Sequence, residues 1–77
     1  MRYRLDAHYP MSLWDTGLDE KITEAVGVES ESSGGGITGR DLNFYFDSAE
    51  DRDEAAGRIS AAGLLRVSVV RREECDN

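Results

Sequence analysis

Residues 40–74 read RDLNFYFDSAEDRDEAAGRISAAGLLRVSVVRREE, and this stretch predicts one β-α-β unit. Apolar side chains occupy every second position over residues 42–46, which is the period of a strand that buries one face. Ser48 can cap the helix that follows, and Gly63 stands where a helix would end. The apolar alternation then returns in residues 65–70. Two strands of one sheet, joined by a helix, are therefore expected in this half of the chain.

The first half of the chain predicts a similar unit. Residues 2–9 alternate apolar and charged or polar side chains, and Pro10 ends this strand because proline cannot donate to a ladder. Asp15 or Thr16 is expected to cap a helix, and Gly27 is expected to end it. The apolar residues of this helix recur at i, i+4, i+7 and i+8, namely Leu18, Ile22, Ala25 and Val26.

The segment between the two units is polar and rich in glycine. Residues 28–32 predict a short, weak edge strand, protected by the charges of Glu29 and Glu31. Residues 33–39 are expected to form the turn into the next strand, since glycine supplies the backbone freedom that turns require.

The resulting order, β-α-β-β-α-β, predicts a ferredoxin-like split βαβ sandwich. In that α+β fold a four-stranded antiparallel sheet, in the order 4-1-3-2, carries two helices on one face. The chain is expected to form a single domain over residues 1–77, frayed from about residue 74. The predicted core comprises Tyr3, Leu5, Ile22, Val26, Leu42, Phe44, Phe46, Ala55, Ile59, Ala62, Leu65, Val67 and Val69.

The connector after the first strand carries an apolar cluster of Met11, Leu13 and Trp14. We expect this cluster to fold down over the sheet edge or the first helix. If it were exposed instead, Trp14 would be a plausible binding anchor, because tryptophan is enriched among the residues that dominate interfaces.

Composition limits the function classes. Sixteen acidic and nine basic residues give a formal charge of −7, which argues against direct binding to phosphate backbones or anionic membranes and favours a basic partner. Cys75 is the only cysteine, so an internal disulfide is excluded and a reducing compartment is the default. Because no signal peptide or membrane span is recognisable, a soluble cytoplasmic protein is expected.

No motif predicts catalysis, a metal or a cofactor. Gly34, Gly36 and Gly39 match G-x-G-x-x-G, but this motif leads into a strand instead of a helix, so a hairpin is favoured over a nucleotide site. His8 is the only histidine and is expected on the open sheet face. RNA recognition would need several exposed aromatic side chains on the central strands, and only Tyr45 qualifies. We therefore expect a protein that is not an enzyme.

Carboxylates cluster in the two predicted helices. The predicted partner-binding residues are, first, Asp47, Glu50, Asp51, Asp53 and Glu54, and second, Asp15, Asp19, Glu20 and Glu24. They have two possible explanations. Carboxylates favour the first turn of a helix and aid solubility, and they can equally complement a basic, nucleic-acid-handling protein. Arginines on the first and last strands predict a basic region on the open sheet: Arg2, Arg4, Arg66, Arg71 and Arg72.

The acidic stretches 15–24 and 47–54, together with the small split βαβ plan, resemble phage-encoded anti-CRISPR proteins. The segment GRDLNFYFDSAEDRDEAAGRISAAGLLRVSVV, residues 39–70, is also similar to the β-α-β half of acidic regulators that inhibit ribonucleases. Both resemblances imply an inhibitor that acts by contact and not by catalysis.

The leading hypothesis is an acidic inhibitor that masks a basic surface of a nucleic-acid-handling complex, as an anti-CRISPR protein blocking recruitment of target DNA. It would act as a monomer or weak homodimer, without contacting nucleic acid or membrane. A ribonuclease-regulator-like inhibitor is one alternative. The other is a small oligomerising or ligand-sensing module that pairs copies through the last strand's edge, or through an exposed Val70 or Tyr45.

Overall fold

The computed structural model describes residues 2–36, 39–64 and 66–74, with side chains at all of these except 14 and 15. The chain forms, in order, β1 (Arg2–Tyr9), a 3₁₀ helix (Met11–Thr16), α1 (Leu18–Val26), β2 (Ser32–Gly36), β3 (Gly39–Phe46), α2 (Ala49–Ala61) and β4 (Ser68–Glu74). This is the ferredoxin-like α+β order expected from the sequence. The predicted fraying falls mostly on residues 75–77, outside the described ranges, since β4 includes Glu74.

One four-stranded antiparallel sheet organises the molecule. The strand order is β2-β3-β1-β4, which is the predicted 4-1-3-2 read from the opposite edge. The central pair is held in a register that places Leu5 opposite Phe44 and Tyr9 opposite Arg40. Because β1 and β3 are antiparallel and each leads into a helix, α1 and α2 begin at opposite ends of the sheet.

The second strand lies further along the chain than predicted. The edge strand expected at residues 28–32 is wrong, and so is the turn expected over residues 33–39: β2 is the glycine-rich segment Ser32–Gly36. This segment pairs with β3 from Ser32 opposite Asn43 to Gly36 opposite Gly39. Its extended form comes from this tertiary pairing, because glycine itself has little preference for strands.

The start of α1 also differs from the prediction. The expected cap at Asp15 or Thr16 is wrong, because both residues belong to the 3₁₀ helix and Gly17, in the left-handed conformation, precedes α1 without a side-chain cap. The Thr16 hydroxyl instead donates to the Leu13 carbonyl at 2.6 Å. The predicted end of the helix at Gly27 is confirmed, with φ of 89°.

The predicted cap of α2 is confirmed. The Ser48 hydroxyl accepts a hydrogen bond from the Asp51 backbone N–H at 3.1 Å, and Gly63, with φ of 76°, follows the helix end. The two helices are tied together by Arg58, whose Nη1 donates to the Val26 carbonyl at 2.8 Å. This contact satisfies a carbonyl at the C-terminus of α1 that has no partner within its own helix.

The core lies between the sheet and the helices. Its buried apolar residues are Leu5, Ala7, Tyr9, Leu18, Ile22, Val26, Leu42, Phe44, Ala55, Ala56 and Ile59. The partly buried side chains of Leu13, Phe46, Val67 and Val69 pack against them. Burial of Ala62 was predicted wrongly, since it is exposed beyond the end of α2, and Tyr3 is only partly buried. Leu65 and the side chain of Trp14 fall outside the described residues, so their predicted packing is untested. Within the described ranges, no helix has the length and apolar character needed to cross a membrane.

Candidate protein-binding surface

A buried carboxylate, Asp6, is the centre of the open sheet face. Its side chain is 11% exposed and accepts hydrogen bonds from Arg4 Nε at 2.6 Å, Asn43 Nδ2 at 2.7 Å and Arg72 Nε at 3.0 Å. Burial raises the pKa of Asp6, but these hydrogen bonds outweigh it and hold the pKa below its ordinary value. Arg4 also donates to Glu74 at 2.9 Å. The open face is therefore a closed ionic network in which arginine charge is already compensated.

Most other arginines are also paired with carboxylates. Ion pairs join Arg2 to Glu31, Arg40 to Asp19, Arg52 and Arg71 to Asp53, and Arg58 to Glu54. Of the nine basic residues, only Lys21 and Arg66 form no ion pair with a described residue. The arginines of β1 and β4 are thus compensated in place, so the basic region predicted on the open sheet is neutralised there.

This pairing determines where the net negative charge is exposed. Within residues 2–36, 39–64 and 66–74, the carboxylates without an ion pair fall into two exposed groups and one single residue. The first group is Glu20, Glu24 and Glu29; the second is Asp47, Glu50 and Asp51; the single residue is Glu73. The excess of negative charge is therefore concentrated at two regions.

The first group lines a groove of about 460 Å³ between α1 and the β2–β3 pair, which we call the α1 groove. Its lining residues are Asp19, Glu20, Thr23, Glu24, Glu29, Ser30, Ser33, Arg40 and Leu42. Three carboxylates without an ion pair thus surround a small apolar floor, which is a suitable environment for the stem and cation of a lysine or arginine side chain.

The entrance of the α1 groove is fixed by three residues from three different elements. The Tyr9 hydroxyl donates to Asp19 Oδ1 at 2.5 Å, and Arg40 Nε donates to Asp19 Oδ2 at 2.5 Å. Burial, together with the hydrogen bond to Asp19, raises the pKa of Tyr9 to about 12. These bonds join the end of β1, the first turn of α1 and the start of β3, and they hold the beginning of α1 in the absence of a side-chain cap.

The second group of unpaired carboxylates, Asp47, Glu50 and Asp51, lies at the start of α2 and we call it the α2 end. Negative charge is favourable there because it faces the positive end of the helix dipole. Two further predicted contacts on this helix, Asp53 and Glu54, are exposed but engaged by arginines at 3.0–3.1 Å.

The structure therefore divides the predicted partner-binding residues. Glu20 and Glu24 lie together in the α1 groove with Asp19, which is partly compensated by Arg40. The remaining member of that set, Asp15, has its side chain outside the described residues. The α1 groove and the α2 end are carried by different helices, which start at opposite ends of the sheet.

Some residues of the α1 groove and of the open face were not identified from the sequence. Glu29 was interpreted only as protection for an edge strand. Tyr9 and Asp6 entered only as positions of the alternation over residues 2–9, one apolar and one charged, and the structure buries both. Arg4, two residues before Asp6 on the same strand face, was the sequence signal that could have indicated an ion pair.

His8 and the three glycines of the G-x-G-x-x-G match all lie in strands of the sheet. No group of three or more His, Cys, Asp or Glu side chains among the described residues could hold a metal ion. His8 lies on the open face, as predicted, with Nδ1 at 2.7 Å from an Asp41 carboxylate oxygen. The first two glycines of the G-x-G-x-x-G match are in β2 and the third begins β3, so the match leads from one strand into its neighbour and not into a helix.

No family model, curated protein or solved structure matches the chain.

Proposed function

We propose that this protein is a non-enzymatic inhibitor that binds a basic surface of a nucleic-acid-handling complex, in the manner of an anti-CRISPR protein that blocks recruitment of target DNA. The observation that supports this most directly is the distribution of charge. Among the described residues, seven of the eight arginines form ion pairs, which leaves Glu20, Glu24 and Glu29 of the α1 groove and the carboxylates of the α2 end without one.

Such a surface can compete with nucleic acid for the same partner. Exposed carboxylates attract the lysines and arginines that otherwise contact phosphates, and the attraction speeds encounter at low ionic strength. The α1 groove is the preferred contact surface, because there three carboxylates without a described ion-pair partner line one concave site. The α2 end is the second contact surface.

The test compares two neutralised variants with a control that has the same net charge. One variant replaces Glu20, Glu24 and Glu29 by glutamine, and the other replaces Asp47, Glu50 and Asp51 by asparagine or glutamine. The control adds lysines at Gly57, Ser60 and Ala61, which are exposed on α2. Binding is measured by biolayer interferometry to a purified CRISPR effector ribonucleoprotein and, separately, to a basic ribonuclease.

We expect at least one neutralised variant to bind at least tenfold more weakly than the control, with unchanged circular dichroism. The salt dependence of its affinity should also be shallower. Full affinity in both neutralised variants would refute the electrostatic mechanism. Binding to the ribonuclease alone would favour the ribonuclease-regulator alternative.

A second candidate is a small oligomerising module. Val70, on the outer strand β4, is 43% exposed and faces the open sheet, where an apolar side chain has no described apolar cover. Light scattering separates the two candidates. A stable dimer that Val70→Asp converts to a monomer would favour the module, whereas a monomer at all concentrations would favour the inhibitor.

A further inference from the structure

The two edges of the sheet are built differently. β4, at one edge, carries two arginines and two glutamates in succession, and charged side chains of this kind discourage pairing with another strand. β2, at the other edge, is Ser32–Gly36, in which every residue is exposed and none is charged. It contains neither the charged side chains nor the proline that commonly protect an edge strand.

β2 also presents little side-chain bulk, because three of its five residues are glycines. Gly34 and Gly36 have no heavy atom within 4 Å of the position that a Cβ would occupy, and neither has a positive φ. Only Gly35 is close to a neighbour, the Met11 side chain, at 3.0 Å. An incoming strand would therefore meet an extended backbone that is already paired to β3 on its other side, and no side chains of these three residues would stand in its way.

The charge beside this edge indicates which kind of strand would fit. Glu29 and Ser33 connect β2 directly to the α1 groove, which also contains Glu20 and Glu24. In a strand added to β2, every second side chain would lie on the helix side, next to these carboxylates. The cation in the groove, Arg40, is already engaged by Asp19.

From this arrangement we propose that β2 is a docking edge for an extended, basic segment of the partner protein, which adds a fifth strand to the sheet. Backbone hydrogen bonds along β2 would supply the register. Lysine or arginine at alternate positions would reach the α1 groove. This inference rests on the proposed function, since it specifies how a basic partner is held.

The experiment uses two synthetic peptides with the same charge. The first is an eight-residue peptide of alternating threonine and lysine. The second has the same sequence with every backbone nitrogen methylated, so that it keeps the lysines but cannot form a β ladder. Titration calorimetry gives the affinities, and amide hydrogen exchange followed by NMR reports the protection of residues 32–36.

We expect the unmethylated peptide to bind at least tenfold more tightly than the methylated one and to slow exchange in β2. On the protein side, the register with Gly36 opposite Gly39 turns the Gly34 N–H towards β3 and the Gly35 N–H towards the free edge. Gly35→Pro should therefore lose this preference, whereas Gly35→Ala, which keeps the backbone N–H, should retain it. If Gly35→Pro does not fold, the comparison of the two peptides still tests the proposal.

Three results would overturn the proposal that β2 is a docking edge for a basic segment. Equal binding of both peptides would show electrostatic attraction alone, and the proposed function would stand. Absence of binding by either peptide would remove the docking edge, while the proposed function would still be judged by the glutamine variants. Protection of β2 that increases with protein concentration in the absence of peptide would identify a second copy as the occupant.

Discussion

Replacement of Asp6 by asparagine tests whether the ionic network of the open face stabilises the fold. The variant keeps the size of the side chain but removes the negative charge that Arg4 and Arg72 share. Hydrogen bonds to charged groups contribute about 1.5–3 kcal/mol each. Much of this returns as hydration, however, because Arg72 is 57% exposed, and Arg4 keeps its bond to Glu74. We therefore expect a net loss of about 2 kcal/mol in the free energy of unfolding, below the ~3–5 kcal/mol for breaking a fully buried pair.

Urea denaturation followed by circular dichroism measures this loss directly, and in a domain of this size it corresponds to a decrease in Tm of about 8–16 °C. Asp41→Asn is the matched control, because its carboxylate is 52% exposed and contacts only His8 among the described residues. Asp6 has a folded-state pKa below its unfolded one, so its contribution is fully present above the unfolded pKa of about 3.9 and is lost as pH falls through the folded value. The difference between wild type and Asp6→Asn should therefore shrink below about pH 4.

A loss for Asp6→Asn equal to that of Asp41→Asn, and smaller than about 0.5 kcal/mol, would refute this reasoning. It would mean that the hydrogen bonds of the Asp6 network stabilise the folded state no more than water stabilises the same groups in the unfolded chain. A difference between the two proteins that stays constant down to about pH 2 would contradict the assignment to the Asp6 charge.

Two further substitutions test local features. Tyr9→Phe removes the hydroxyl that donates to Asp19 and should cost about 1 kcal/mol, measured by urea denaturation at pH 7. Because the folded-state pKa of Tyr9 is raised to about 12, its stabilisation is present below the unfolded pKa near 10 and is lost as pH rises through the folded value, so the difference between this variant and wild type should narrow as pH rises from about 10 towards 12. Gly39→Ala places a Cβ 2.5 Å from the Tyr9 carbonyl oxygen at a φ of 144°, and should lower the free energy of unfolding by about 2 kcal/mol or more. Gly34→Ala, with open space around the new Cβ, is its control in thermal unfolding, and equal stability of the two variants would contradict the steric argument.

The β-α-β half of the fold was predictable because its signals are local. The alternation over residues 42–46 and the cap at Ser48 depend on side chains within a few positions, and the structure retains them. β2 was misplaced for the opposite reason. Three consecutive glycines provide no side-chain alternation, so only the pairing of residues 32–36 with β3 defines this strand.

The charge excess was also predictable, but its location was not. Counting residues gives the net charge of −7. Which carboxylates stay free of arginines depends on contacts between distant parts of the chain, such as Arg2 with Glu31 and Arg72 with Asp6. Local sequence favoured the acidic stretch at residues 47–54 as the first contact surface. In the structure, two of those carboxylates, Asp53 and Glu54, form ion pairs with arginines.

The dependence of α1 on its neighbours has a consequence for motion. This helix has nine residues, follows a glycine that provides no side-chain cap, and has its last carbonyl, that of Val26, bonded by Arg58 of α2. A helix of this length is marginal by itself. We expect α1 to be the first cooperative unit to open below the global transition, with its amides exchanging faster than those of β1. The groove carboxylates would then be presented on the least persistent element of the molecule, and a bound partner would slow that opening.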